Sequence, residues 1–282
     1  IFFRGPLLFV FCGKHQIVVE AAGSMQSSQA EGAKMLTGSS SHAAGTGMPH
    51  SGGGITTLVV CNSFTDCGEH ITIMDRLRQN DRTLGSNLDY RHILTKTIEK
   101  KRFTGDVLRA LTVNRTIQSA CLKGGDITGA NVDLLCTMLV RNCTLLKLSL
   151  EGCNLQRDFE EIAKHLAENK SLRYINLRSN FLEFEGAKQL FTHLPRSRVT
   201  SVNLSQNGII DAAGGLFQAI NKAQKAYDAA VKKKVPEPPS VLTQLDISSN
   251  QISPVVNSKI MAIVNTNARV LTTQQRQARE QA

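Results

Sequence analysis

The sequence contains no tryptophan, and its 282 residues include only 3 tyrosines and 11 phenylalanines. A core with so few large rings has to be filled by leucine, isoleucine, valine and alanine. Such side chains suit thin layers that repeat along a chain.

Motifs of common catalytic chemistry are also missing. No GxxxxGK[ST], GxGxxG, HExxH or GxSxG pattern occurs, although phosphate-binding loops, dinucleotide sites, zinc hydrolases and serine hydrolases carry them. The 7 histidines are dispersed, and no cysteine or histidine spacing fits a metal site. His165 and His193 occupy matching places in successive predicted helices, where surface packing is the simpler interpretation. We therefore predict no enzymatic activity, no cofactor and no bound metal.

No run of the sequence is apolar for long enough to span a bilayer. The short apolar stretch at residues 4–12 is a poor signal peptide. The sequence starts at Ile1, and its first methionine is Met25. If translation began at Met25, the protein would lack this stretch. The 7 cysteines are odd in number, and several fall where the repeats described below would bury them, which favours a reducing compartment. We predict a cytoplasmic protein, with cytoskeletal or ciliary and flagellar association as narrower options.

Acidic residues are outnumbered, because 33 lysines and arginines against 23 aspartates and glutamates give a formal net charge of +10. Such a balance favours acidic partners, anionic lipid or nucleic acid. The basic residues are scattered, however, apart from one cluster at Lys232, Lys233 and Lys234. A solvated loop is the simpler interpretation of this cluster, and it is a second candidate surface. Nucleic-acid binding is not expected, because an aromatic stacking platform is lacking.

Bulky apolar residues are rare between Gly23 and Gly54, so this stretch is predicted to be disordered. Structure is expected to begin near Ile55, where a β-branched run (ITTLVV) predicts an edge or capping strand. The sequence is therefore predicted to have four parts. A disordered or upstream-translated segment comes first, and a capping or degenerate repeat region follows it. A repeat domain with an insertion at 225–240 comes next, and a C-terminal tail ends the chain. The four parts span residues 1–54, 55–116, 117–270 and 271–282, respectively.

Internal repeats decide the fold. Segments that begin at Leu145, Leu172, Val199 and Leu242 obey the pattern L-x-x-L-x-L-x-x-[N/C]-x-L, and a weaker copy begins at Ile117. The steps between copies are 28, 27, 27 and 43 residues. The long last step is explained by the insertion, whose first part (KAYDAAVKKK) is expected to lengthen the preceding helix.

Between these strand segments the apolar residues recur with a helical period. One unit is therefore a strand, a turn, a helix and a loop, and stacked units share one core. Residues at places one, four and six of the pattern are expected to point inward. The residue at place nine is expected to bond backbone groups of adjacent turns. This predicted ladder consists of Cys153, Asn180, Asn207 and Asn250.

A second series of asparagines recurs at the ends of several predicted helices. Each lies three residues before the first apolar position of the next strand segment. These asparagines account for most of the N-x-[ST] patterns in the sequence, which are also the acceptor pattern for N-glycosylation. The repeat explains their presence better than glycosylation does. The asparagines are Asn114, Asn142, Asn169 and Asn267.

With these motifs, the chain resembles a ribonuclease-inhibitor-like leucine-rich-repeat protein over residues 117–270. The resemblance implies an α/β solenoid, a horseshoe arc with parallel strands on its concave face and helices on its convex face. It implies no single partner, because this scaffold serves many.

A narrower resemblance lies upstream. The segment Met74–Leu84 (MDRLRQNDRTL), with Ala110-Leu-x-x-Asn114 and Met138-Leu-x-x-Asn-x-Thr-Leu145, is similar to the repeat domain of tropomodulins and leiomodins. In that family the domain binds actin at the pointed end of the filament. The family's tropomyosin-binding helices and first actin-binding helix have no counterpart in this sequence. Leu84 and Leu88 are four residues apart, one more than the spacing between places one and four of the repeat pattern, so this region departs from the register by one residue.

The concave face is the predicted partner-binding surface, because its strand residues face solvent in such a solenoid. Tyr174 and Arg178 stand out among them, since tyrosine and arginine are enriched in binding hot spots. The simpler alternative is that Tyr174 only covers its neighbours on the sheet. The predicted site consists of Lys147, Ser149, Glu151, Arg173, Tyr174, Asn176, Arg178, Asn203, Ser205 and Asp246.

The function predicted from the sequence is thus a non-enzymatic scaffold that binds another protein and no small-molecule substrate. An actin pointed-end or axonemal cytoskeletal component is the first alternative. A Ran-type GTPase-activating protein is the second, although that family has a longer domain and an acidic tail, whereas this sequence ends in a basic stretch from Arg276 to Arg279.

Overall fold

The computed structural model describes residues 8–12, 15–19, 57–59, 66–91, 94, 99–211, 213–234 and 240–280. The chain forms two units, Ile1–Gly54 and Ile55–Ala282. In the first unit, β1 (Leu8–Cys12) and β2 (His15–Val19) pair antiparallel, whereas the sequence pattern predicts no strands there. The predicted disorder between Gly23 and Gly54 lies outside the described residues.

The second unit contains a parallel sheet. Its seven described strands follow the order β10-β8-β7-β6-β5-β4-β3. Each strand has only three residues, and in the strands whose side chains are described the middle residue is buried. The strands are β3 (Thr57–Val59), β4 (Asn87–Asp89), β5 (Ser119–Cys121), β6 (Lys147–Ser149), β7 (Tyr174–Asn176), β8 (Ser201–Asn203) and β10 (Gln244–Asp246). Two shorter strands, β9 (Ile210–Asp211) and β11 (Gln251–Ile252), pair parallel beyond the turns.

Helices connect the strands, and each helix from α2 onward packs against the next one along the chain. Seven helices are described in all, together with short 3-10 turns. They are α1 (Asp66–Arg78), α2 (Lys100–Val113), α3 (Ala130–Arg141), α4 (Phe159–Glu168), α5 (Glu183–His193), α6 (Gly215–Lys232) and α7 (Pro254–Glu280). The predicted solenoid, with strands on the concave face and helices on the convex face, is confirmed.

The core is built from columns of equivalent residues. Because consecutive strands pair in register, place four of each repeat lies directly beside place four of the next. Leu148, Ile175 and Val202 form the middle of this column and are all buried. Place six forms a second buried column that includes Leu150, Leu177 and Leu204. One repeat alone would leave these side chains in water, so stacking supplies the hydrophobic stabilisation.

The sheet extends upstream of the five copies recognised in the sequence. Leu88 of β4 pairs with Ala120, at place four. Leu84 is buried one residue before its expected place, on a 3-10 turn, which explains the shifted register. Tyr90 takes place six, and its hydroxyl is satisfied by hydrogen bonding to Nδ1 of the buried His70.

His70 is held on several sides. Its ring stacks on Phe103 with centroids 4.1 Å apart, and its Nε2 lies 3.2 Å from Oδ2 of Asp106. Burial lowers the pKa of His70, and Asp106 partly offsets this effect. This cluster completes a buried layer, since a tyrosine in place of leucine needs a polar partner.

Both C-terminal helices are longer than a repeat requires. Helix α6 continues through Lys232, so the first half of the predicted 225–240 insertion is helical, as expected. Residues 235–239 lie outside the described set. Helix α7 runs without a break to Glu280, so the domain boundary that the repeat pattern predicts at residue 270 falls inside this helix. Within the described residues, no helix is long and apolar enough to cross a membrane.

Side chains at place nine form a ladder of hydrogen bonds between turns. Asn180 accepts a hydrogen bond at Oδ1 from the backbone N–H of Cys153 (2.8 Å) and donates from Nδ2 to the carbonyls of Leu150 and Leu177 (2.8 and 2.9 Å). Asn207 repeats this pattern one turn on, accepting from the N–H of Asn180 at 3.0 Å. Asn250 accepts in turn from the N–H of Asn207 at 3.0 Å. Each amide therefore joins its own turn to the preceding one.

Cys153 occupies the same place with a smaller group. Its thiol donates to the carbonyl of Leu122, with Sγ and O 3.1 Å apart. Burial raises the pKa of this thiol to about 12. It stays protonated at neutral pH, which preserves it as a donor, but sulfur is a weak acceptor.

A second ladder runs before the strands. Asn142 donates from Nδ2 to the carbonyl of Leu111 in the preceding turn at 2.7 Å, and its Oδ1 accepts from the N–H groups of Thr144 and Leu145 (3.0 and 2.8 Å). Asn114 and Asn169 make the same bonds. All three are buried, so their amides are unavailable for glycosylation, which agrees with the repeat interpretation.

We predict that Asn180→Ala lowers the free energy of unfolding by about 3 kcal/mol, because it leaves several buried backbone groups without partners, at about 1–3 kcal/mol for each group that stays unsatisfied. Urea unfolding followed by circular dichroism measures the change. The matched control is Asn265→Ala on the exposed face of α7, for which we expect a change within about 0.5 kcal/mol. A loss at Asn180 no larger than at Asn265 would contradict the role of the ladder.

Candidate binding face

The concave face consists of three rows of side chains, at places three, five and seven of each repeat. The strand register aligns the first two rows across the sheet. The first row is Asn87, Ser119, Lys147, Tyr174, Ser201 and Gln244; the middle row is Asp89, Cys121, Ser149, Asn176, Asn203 and Asp246. The third row is Arg91, Lys123, Glu151, Arg178, Ser205 and Ser248.

The middle row is partly used by the fold itself. The side-chain oxygens of Asn176, Asn203 and Asp246 each accept a hydrogen bond from the backbone N–H two residues later, at 2.9–3.0 Å. Such local bonds are typical of asparagine and aspartate at turns. They fix the end of each strand, so this row supplies a rigid floor with limited free hydrogen-bonding capacity.

Charges in the centre of the face are paired. Glu151 Oε1 lies 2.9 Å from Lys123 Nζ and 3.9 Å from Arg178 Nε. Arg178 also donates from Nε to the Gln206 side chain at 3.0 Å. Asn176 donates to Ser149 Oγ at 3.2 Å. One carboxylate thus pairs with two basic side chains, which leaves this central network with a formal charge of +1.

Tyr174 lies in the first row between Lys147 and Ser201. Its ring is half-buried, and burial, with smaller contributions from Asp246 and Glu151, raises the pKa of its hydroxyl. Within the described part of the chain, neither the hydroxyl of Tyr174 nor the ammonium of the exposed Lys147 has a hydrogen-bond or ion-pair partner. Both groups are available to a ligand.

Two predicted site residues are placed differently from the expectation. Arg173 folds back, and its Nη1 donates to the carbonyls of Lys170, Ser171 and Leu172 at 2.8–3.2 Å. Its guanidinium therefore closes the loop before β7. Ser205 is only 2% exposed, and its hydroxyl donates to Asn203. Ser205 thus supports the face from below and offers no surface to a partner.

The sequence pattern does not predict two further residues of this face. Asp89 and Arg91 add a salt bridge to the upstream end, with Nη2 and Oδ2 2.5 Å apart. Only the register of β4, which the shifted Leu84 obscures, would have placed them in these rows.

Phe181 lies just beyond the strand end and is 64% exposed. Its backbone has φ +53°, at place ten, where the flanking repeats have Asn154 and Gly208 with φ +58° and +67°. Asparagine and glycine tolerate this left-handed conformation, whereas a bulky aromatic does not. The ring is therefore exposed at a strained position that folding alone does not explain.

The second candidate surface is exposed. Lys232 ends α6, and Lys233 and Lys234 follow it, all three with exposed side chains. Only Lys232 is helical, so the predicted solvated loop is wrong for this residue, whereas Lys233 and Lys234 lie in the exposed turn after the helix.

Metal ligation has no preassembled centre among the described residues. No group of three or more histidine, cysteine, aspartate or glutamate side chains among them is arranged to hold a metal ion. Burial raises the pKa of the Cys136 thiol to about 11, so neither it nor Cys153 is a thiolate at neutral pH.

The repeat geometry, the two ladders and the parallel strand face define a leucine-rich-repeat fold. The family model "Leucine Rich repeat" matches residues 240–255. In sequence, the chain is similar to the mouse (Mus musculus) NACHT, LRR and PYD domains-containing protein 4B, with 33% identity over 92 residues. This alignment covers 31% of the chain and 11% of the relative, so the chain spans only a small part of that protein's length.

Among solved structures, the chain is similar to the actin-binding site 2 of leiomodin-1. The TM-score is 0.43, with 15% identity over 78% of this chain and 99% of the other. The C-terminal domain of tropomodulin from Caenorhabditis elegans gives a TM-score of 0.43, with 14% identity over 73% of this chain and 98% of the other. The architecture of the chain is established by its own strands and hydrogen bonds. None of these three relatives supports the ciliary or flagellar option.

The residues that carry the sequence resemblance to tropomodulins mostly build the fold. Met74, Leu77, Leu111 and Leu139 are buried core residues, and Asn142 belongs to the second ladder. A resemblance in buried residues supports a shared architecture. It gives no information about the exposed residues that would contact actin.

We predict that Phe181→Asn raises the free energy of unfolding by about 0.5–1 kcal/mol, because it relieves a left-handed conformation that costs most residues about 1–2 kcal/mol. Urea unfolding provides the measurement. The control is Phe217→Asn on α6, a phenylalanine that packs against the core, which should destabilise the protein. Destabilisation by both substitutions would show that the Phe181 ring serves the fold.

Proposed function

We propose that this protein is a non-enzymatic scaffold that binds another protein through the concave face of its solenoid. The observation that carries the proposal is the first row, where the half-buried ring of Tyr174 lies beside the exposed Lys147 and, among the described residues, both polar groups lack protein partners. A rigid aromatic with an unused hydroxyl is the type of side chain that dominates protein interfaces.

The surrounding residues suit this role. The bonded middle row provides an ordered surface, so little side-chain entropy is lost on binding. Arg178 is already oriented by Glu151 and Gln206. Phe181 provides an apolar anchor at the rim of the same repeat. Together they define a binding patch on one repeat, composed of Tyr174, Arg178 and Phe181.

We predict that the double substitution Tyr174→Ala and Arg178→Ala weakens partner binding by at least about tenfold, equivalent to about 1.4 kcal/mol, the scale expected for one good hot spot. Partners are first captured from a cell lysate on the immobilised chain and identified, and then titrated against each variant. The melting temperature should fall little, because neither side chain is in the core columns.

A photocrosslinking residue provides the matched control. Placed at Ser201 on the concave face it should crosslink the captured partner, and placed at Lys188 on the convex helix α5 it should not. Equal crosslinking at both positions, or unchanged binding by the double variant, would contradict the concave-face proposal.

Actin binding is the alternative within this class, and it is motivated by the motif similarity at residues 74–84 to the tropomodulin and leiomodin repeat domain. Polymerisation of pyrene-labelled actin from filaments whose barbed ends are blocked measures it. If actin is the partner, the wild-type chain slows pointed-end growth, and Tyr174→Ala with Arg178→Ala restores the rate. Undiminished growth with the wild-type chain would exclude this alternative and leave the scaffold proposal intact. A cytoplasmic location accompanies both proposals, and no structural observation favours stimulation of a Ran-type GTPase.

A further inference from the structure

The C-terminal end of the solenoid contains a groove that the concave-face proposal does not use. In the upstream repeats, helices α2, α3 and α4 end at the second-ladder asparagines. Asn267 occupies the same place in α7 and donates to the carbonyl of Leu242 at 3.0 Å, yet the helix continues to Glu280. Helix α6 is likewise extended to Lys232. The two extensions enclose a groove of about 530 Å³.

Both helices contribute apolar side chains to the walls of this groove, beside polar residues from the adjoining loops and helices. Tyr227 and Val231 of α6 face Val270 and Leu271 of α7 across it. Val231 and Val270 are each 46% exposed, and Leu271 is 39% exposed. These three belong to the small set of large apolar side chains that are exposed among the described residues. Apolar side chains that meet in one concave site, instead of being scattered singly, mark an interaction surface.

The rim of the groove is basic. Lys232 lines it, and the exposed Lys233 and Lys234 follow Lys232 at the end of α6. Asp228 is the one carboxylate among the described lining residues, and it already accepts a hydrogen bond from Gln224 at 3.0 Å. A ligand that places carboxylates at this rim gains attraction, whereas a basic ligand is repelled.

From this combination we infer that the groove between α6 and α7 binds an acidic amphipathic helix of another protein. The helix inserts apolar side chains spaced three and four residues apart between Val231 and Val270, and its glutamates or aspartates face Lys232 and the lysines that follow it. Helices bind in this way to apolar grooves of other proteins. A second copy of this chain is a poor occupant, because its groove would bring an equally basic rim against the first. The inference is independent of the concave face.

The test uses the full chain and a fluorescein-labelled helical peptide of about 18 residues, composed of leucine, alanine and glutamate, with leucines in an i, i+3, i+4, i+7 pattern. Fluorescence anisotropy should show saturable binding. The double substitution Val231→Ser and Val270→Ser should weaken it at least about tenfold, and Lys232→Glu should weaken it further.

Two controls match these changes. Val113→Ser alters a valine of α2 with nearly the same exposure, 47%, and should leave binding unchanged. A peptide with lysine in place of every glutamate should bind at least about tenfold less tightly. Circular dichroism melting establishes that each variant is folded.

Absence of binding, equal binding of the basic peptide, or equal loss with Val113→Ser would overturn the inference. So would a wild-type dimer, seen by sedimentation, that the Val231→Ser and Val270→Ser variant converts to monomer, because a second copy would then cover the groove.

Discussion

Hydrogen bonds from buried asparagine side chains to backbone groups are the constraint on which this structure depends. Every turn of the solenoid carries irregular backbone between a strand and a helix, and its N–H and C=O groups are buried between neighbouring turns. Unpaired, each group would cost about 1–3 kcal/mol. Asparagine has one acceptor and two donors at the end of a short side chain, so it can bond its own turn and an adjacent turn at once. Asn180 does so through Cys153, Leu150 and Leu177.

This constraint explains why so much of the architecture could be read from sequence. Leucines fill the buried columns and asparagines form the first ladder, so the spacing of these residues in the sequence reflects both. The solenoid, its concave strand face and the four ladder residues could therefore be predicted from that spacing. The second set of asparagines was visible as a marker of the repeat, but its bonds to the preceding turn were not. Periodicity locates a residue on the repeat and does not specify which backbone groups it meets.

Features that break the pattern were harder to predict. The register of β4 was hidden because Leu84 sits on a 3-10 turn. Tyr90 at a leucine place required a distant partner, His70, which no local pattern connects to it. Helix α7 passes Asn267, although the same residue type ends earlier helices, so an asparagine at this place does not by itself stop a helix. On the binding face, Arg173 and Ser205 point in directions set by nearby carbonyl and amide groups, and such local hydrogen bonds are not encoded in a repeat position.

The two ladders also differ along the chain, and their overlap matters for the binding face. The asparagines of the first ladder lie downstream, because Cys153 replaces an amide and the preceding copy has Gly125 at that place. The second ladder is complete upstream, because Arg196 stands at the asparagine place before β8, and the hydroxyl of the adjacent Ser197 bonds only its own loop. The turn that carries β7 is therefore held by an amide at both ends, by Asn169 before the strand and by Asn180 after it. Amide hydrogen exchange in such an array proceeds by fraying from the ends toward the most strongly held turn. We therefore expect the backbone amides around Tyr174 and Arg178 to exchange slowly, so that a ligand meets a surface that is already ordered in the free protein.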